Sequence, residues 1–149
     1  MFRFRFETLL TQRRHAEERL QKELAEARRA LAAEQAVLAE KKDALRRCAR
    51  EMRRRQARGF RIADILPYAP YMERLRRDVD AQRKRIAAAD QKVHRTRQDL
   101  VEALKKRKTL DRLKERQHEN YLKEAARLER KFADDVAGRH QRRTPPAGT

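Results

Sequence analysis

Four histidines, one cysteine and a pair of adjacent aspartates are the side chains of this 149-residue chain that could run acid, base, nucleophilic or metal chemistry. His15, His94, His118 and His140 are scattered, and none falls in an HExxH or a Cys/His cluster at metal-ligand spacing. Cys48 has no second cysteine to pair with and sits on an apolar helical series, where a thiol packs as a small hydrophobe. A lone thiol also fits a reducing compartment. Asp134 and Asp135 could share a proton only in a concave pocket that tunes them. There is no GxxxxGK[ST] or other glycine-rich phosphate cradle. The chain is therefore read as non-enzymatic, with no catalytic, cofactor-binding or metal-ligating residue.

What the sequence does offer is charge. Lys and Arg number 41 against 23 Asp and Glu, a formal charge of +18, and self-repulsion of that size calls for an acidic partner or an extended shape. The stretch KKRKTLDRLKERQHENY, residues 105–121, carries seven basic residues and three carboxylates. Denser still is Arg46 to Arg61, with eight Arg against Glu51 alone. That density matches a bZIP basic region, so a basic nucleic-acid-associated coiled coil is one reading. A bZIP helix, however, runs straight into a parallel zipper, and here Gly59, Pro67 and Pro70 follow. Phe60, Tyr68 and Tyr71 could stack on bases, or could equally plug the end of a hairpin.

The elements that must carry these charges are helices. Charged residues make up 43% and aromatics 5%, with no Trp, which leaves little for a globular core. Disorder is disfavoured because the chain has four Pro, three Gly and no Ser, and is otherwise dominated by strong helix formers. All Gly and Pro fall at Gly59, Pro67 and Pro70, or at Gly138, Pro145, Pro146 and Gly148. This spacing predicts a helix over 2–58, a turn over 59–70, a helix over 71–137 and a disordered tail over 138–149 with no assigned role. The alternation of Phe2, Phe4 and Phe6 with Arg also fits a strand, but four residues with nothing nearby to pair with favour helix.

Seven-residue apolar series run along both long stretches. Leu10, Glu17, Leu24, Leu31, Leu38, Leu45 and Met52 form the first, and Met72, Val79, Ile86, Val93 and Leu100 the second. After Leu100 the phase slips, and Leu104, Leu110, Leu113, Tyr121, Ala125, Leu128 and Phe132 continue the stripe. So narrow a seam belongs to a coiled coil rather than a globular helix. Acid-before-base pairs at i, i+4, such as Glu51/Arg55 and Glu73/Arg77, support the exposed faces. Residues 1–137 are thus expected to form an all-α, antiparallel two-helix coiled-coil hairpin, with arms of roughly 85 and 100 Å and about three turns of overhang near the termini. No run is apolar and long enough for a signal peptide or a membrane span, so a soluble, cytoplasmic chain is expected.

FRFETLLTQR at 4–13, LPYAPYMERL at 66–75 and LKERQHENYLKEAARLERKFADD at 113–135 together resemble the flagellar export protein FliJ family. FRFETLLTQR, through Phe4, Phe6, Glu7, Leu9, Leu10 and Arg13, is similar to that family's opening. LPYAPYMERL, through Tyr68, Tyr71 and Leu75, resembles its Tyr-x-x-Tyr start of the second helix. The closing signature is matched by Leu113, Lys114, Glu115, Arg116, Tyr121, Glu124, Arg127, Glu129, Lys131, Asp134 and Asp135, with Asp135 in place of the usual Glu. The resemblance implies a coiled coil of the flagellar type III export apparatus, like the central shaft of rotary ATPases. Its implied partners are the hexameric export ATPase, the cytoplasmic domain of the membrane export gate and export chaperones, with no specific nucleic acid. Its implied place is the cytoplasm, peripheral to the inner face of the membrane at the flagellar base. On this footing Phe4, Phe6, Leu9, Leu10, Tyr121, Leu128 and Phe132 would engage the ring, and Arg13, Arg112, Arg116 and Arg127 would steer it. Lys114, Glu115, Glu124, Glu129 and Lys131 complete the expected partner-binding set.

Overall fold

The computed structural model describes residues 1–59 and 61–143. The chain is all-α: α1 spans Glu7–Ala57, α2 Ile62–Ile65 and α3 Tyr68–Arg143. No strand occurs among the described residues. The two long helices occupy the two stretches that lack interior breakers, apart from Gly138.

Three boundaries differ from the sequence reading, each for a physical reason. The first helix begins at Glu7 rather than Phe2, and Glu7 N–H donates to Phe4 O at 3.3 Å. Residues 1–6 form an arm in which Phe2 and Phe4 are covered while Arg3 and Arg5 stay exposed, the period-two use of an alternating sequence. The connection contains the single-turn α2, and α3 starts at Tyr68 with Pro70 in its first turn. Proline is harmless there because the first four N–H groups of a helix have no internal acceptor. Finally, α3 continues through Gly138 to Arg143, since one glycine costs a helix interior only about 1 kcal/mol. Residues 144–149 of the expected tail, and Phe60 of the expected plug, lie outside the described residues.

Two compact units are distinguished: Ala16–Glu102, and Met1–His15 with Ala103–Thr149. In the first, the helices pair antiparallel. Leu24 and Ala27 pack with Val93, Glu34 bonds Gln82, and Arg55 lies over Tyr68, so partner numbers on α3 fall as those on α1 rise. Leu24, Ala27 and Val93 form the core, with Leu31 and Leu100 against it. Cys48 is buried, as its place on the seam predicts. Both long helices also bury polar side chains, Glu17 on α1 and Gln82 and Thr96 on α3. Thr96 satisfies itself by donating from Oγ1 to Lys92 O at 2.8 Å. Gln82, only 1% exposed, donates from Nε2 to Glu34 O at 2.9 Å and also to Glu34 Oε2.

Candidate partner-binding site

The expected site residues gather in the unit made by Met1–His15 and the chain from Ala103 onward. Its helices also run antiparallel. Lys114 Nζ meets Glu7 Oε2 at 2.8 Å, Arg14 Nη2 donates to Asp111 Oδ1 at 3.1 Å, and the Phe2 ring lies 5.0 Å from His118 and 5.7 Å from Tyr121. Phe4, within the arm, is buried 5.9 Å from the Phe6 ring, with Lys114 Nζ 6.0 Å from the Phe4 ring centre. Lys114 thus joins a salt bridge to a cation–π contact.

These contacts divide the expected set. Phe4 and Leu10, at 8% and 0% exposure, hold the unit together and present nothing to a partner. Leu9, Arg13 and Lys114 are half-buried. Phe6, Arg112, Glu115, Arg116, Tyr121, Glu124, Arg127, Leu128, Glu129, Lys131 and Phe132 are exposed.

Within the basic stretch 105–121, several charges are spent inside the unit. Asp111, its first carboxylate, accepts from Arg107 Nη1 at 2.6 Å as well as from Arg14. Partial burial raises the Asp111 carboxyl, but the hydrogen bonds and positive charges of Arg107 and Arg14 outweigh it and hold its pKa below the ordinary aspartate value. Sequence reasoning missed this cluster, although a single Asp inside a run of cations, with Arg14 on the facing helix, was the available signal.

Past the aromatic arm, α3 changes character. From Tyr121 to Arg143 every described residue except Ala125 is exposed. Tyr121, Leu128 and Phe132 are 41%, 64% and 71% exposed, and with Ala125 their four-three-four spacing places them on one helical face. Leu122 and Val136 add exposed apolar surface that the sequence reading did not assign. Arg127 pairs with Glu124 at 3.7 Å. The result is half of a coiled-coil seam, flanked by charge, with its apolar face in water. Such a surface binds helices or apolar loops. No group of three or more His, Cys, Asp or Glu able to hold a metal occurs among the described residues, nor does a helix long and apolar enough to cross a membrane.

Comparison with known proteins follows the same lines. The family model for the flagellar FliJ protein matches residues 2–145. The solved structure of a protein described as a YscO homolog, CT670 from Chlamydia trachomatis, superposes with a TM-score of 0.64. It is 24% identical over 97% of this chain and 100% of that one, a likeness of fold. Curated proteins give no match.

Proposed function

Because the chain belongs to the FliJ family, non-enzymatic components of the flagellar type III export apparatus, we propose that it docks its terminal unit into the hexameric export ATPase and promotes ring assembly and activity. Hydrolysis belongs to the ring in this reading, and the present chain supplies contact surface. The export gate's cytoplasmic domain and empty export chaperones are the further partners, met at the inner face of the cell membrane.

One observation carries the proposal: the exposed stripe of Tyr121, Leu128 and Phe132. Each large apolar side chain gains about 1.5 to 3 kcal/mol when fully buried. Left in water on a highly charged chain, this stripe is a docking surface. Aromatic and arginine anchors dominate interface energetics, and here Phe132 and Tyr121 share one helical face while Arg116 and Arg127 are exposed elsewhere on the same helix. The arginines steer an acidic rim, while the stripe sets the lifetime of the complex. A phosphate-backbone binder has no use for such a stripe, so the nucleic-acid reading is not adopted.

The test is stimulation of the cognate ATPase, together with pull-down, using Leu128→Asp/Phe132→Asp. Both side chains are exposed, at 64% and 71%, so helicity is expected to persist. Leu10→Asp is unsuitable, since it would bury a charge at a fully covered position. The double variant should lose binding at least tenfold, about 1.4 kcal/mol. Wild-type stimulation by a fully helical double variant would exclude the stripe as the ring contact.

A further inference from the structure

The connection between α1 and α3, inside the Ala16–Glu102 unit, carries a second surface that uses none of the ring-docking residues. Its cations are of one kind: between Lys42 and Lys84 there are twelve Arg and no Lys. Arginine's planar fork matches phosphate oxygens two at a time, which a lysine cannot do. Glu51 engages Arg54 at 3.9 Å and Arg55 at 3.3 Å. Arg50, Arg53 and Arg58 are exposed, and none is in an ion pair among the described residues. Arg46, Arg50 and Arg53 from α1, with Arg76 from α3, border an open groove that Leu45 and Met72 also line.

Among these cations project two aliphatic side chains. Ile62 and Leu66 are 75% and 64% exposed, and their i, i+4 relation across the single turn of α2 places them on one side. Tyr68 and Tyr71 follow, their rings 5.3 Å from the Arg55 guanidinium and 5.8 Å from that of Arg74. Exposed aliphatic tips, tyrosines and an arginine collar in this order are the profile of a peripheral membrane contact.

We propose that this connection docks on an anionic lipid bilayer. Ile62 and Leu66 enter the boundary between headgroups and acyl chains, Tyr68 and Tyr71 sit at headgroup level, and Arg50, Arg53, Arg58 and Arg61 take lipid phosphates. From Arg53 to the end of α1 at Ala57 is about 6 Å of helix, within a leaflet's polar layer of about 7 Å, while Arg50, about 10 Å back, reaches that layer through its long side chain. A nucleic acid would meet the same arginines but would leave Ile62 and Leu66 in water. It would also find both tyrosine rings already engaged by arginine.

The full chain is tested by co-sedimentation with phosphatidylcholine vesicles, with and without phosphatidylglycerol at about one lipid in three, near physiological salt. Binding is expected only to the vesicles holding phosphatidylglycerol. Each arginine near such a surface contributes about fivefold, so Arg50→Gln/Arg53→Gln/Arg58→Gln should lower partitioning about a hundredfold. Ile62→Gln/Leu66→Gln leaves the charge unchanged and should lower it at least tenfold. Equal binding to pure phosphatidylcholine would overturn the proposal. So would a glutamine pair that sediments like wild type, since the contact would then be polyelectrolyte attraction alone. Single-stranded RNA that binds the chain at the same salt while the phosphatidylglycerol vesicles do not marks the nucleic-acid alternative, and also overturns it. Retained ATPase stimulation by both variants separates this surface from the ring-docking stripe.

Discussion

Glu34→Ala removes the side-chain partner of the most deeply buried polar group in the structure. Gln82 gives both amide hydrogens to Glu34, one to the backbone oxygen at 2.9 Å and one to the carboxylate, while its own Oε1 is buried with no partner among the described residues. A hydrogen bond to a charged group contributes about 1.5 to 3 kcal/mol, so the single variant should lose that much. In a chain of this size the loss corresponds to a melting temperature lower by roughly 3 to 12 °C. Replacing both residues, as Glu34→Leu/Gln82→Leu, also removes the unmet carbonyl and adds apolar burial, and should raise stability by about 1 to 4 kcal/mol. What the layer contributes in return is register. Sliding α3 by one heptad would set Gln82 against Ala27 or Lys41, neither of which offers a side-chain acceptor. Circular dichroism melts and urea titrations read the stability, and light scattering reads any shifted or intermolecular pairing that the all-leucine layer permits. A double variant less stable than wild type, and still uniquely paired, would refute this account of the layer.

The apolar series legible in the sequence coincide with the buried rows, because a seven-residue repeat on uninterrupted helices leaves only one face to cover. Leu10, Leu24, Met72, Val79 and Val93 are buried, and Leu31, Leu38, Leu45 and Met52 are half-buried. The companion row on α3, Leu75, Gln82, Ala89 and Thr96, stayed hidden because hydropathy cannot distinguish a buried, satisfied amide from an exposed one. In the terminal unit the sequence reading treated Phe4, Leu10, Leu128 and Phe132 alike. A seam pattern records which face needs a partner, not whether the same chain supplies it. The Phe2 contacts with His118 and Tyr121, and the exposure beyond them, divide covered positions from open ones. That division depends on the start and path of the N-terminal arm, which an alternation of Phe and Arg leaves open between helix and strand.

Gly59 has φ +83°, and an added Cβ would meet nothing within 4 Å, so Gly59→Ala isolates the backbone penalty of the left-handed region. It should cost about 1 to 2 kcal/mol, and an unchanged thermal melt would show that the connection does not need that conformation. Asp111→Asn tests the carboxylate held by Arg107 and Arg14. Its folded-state pKa is depressed, so its stabilisation is present above the unfolded value of about 3.9 and is lost as pH falls through the folded value. With Asp111 24% and Arg14 50% exposed, solvent screening limits the effect to about 0.5 to 1 kcal/mol. Urea midpoints of wild type should exceed those of the variant by a constant margin from about pH 7 to pH 5, and the margin should close below about pH 4. A protonated aspartic acid and an asparagine are near-equivalent neighbours for a guanidinium. A margin that survives fully into strong acid would therefore mean that packing, and not the charge on Asp111, ties Arg14 to α3.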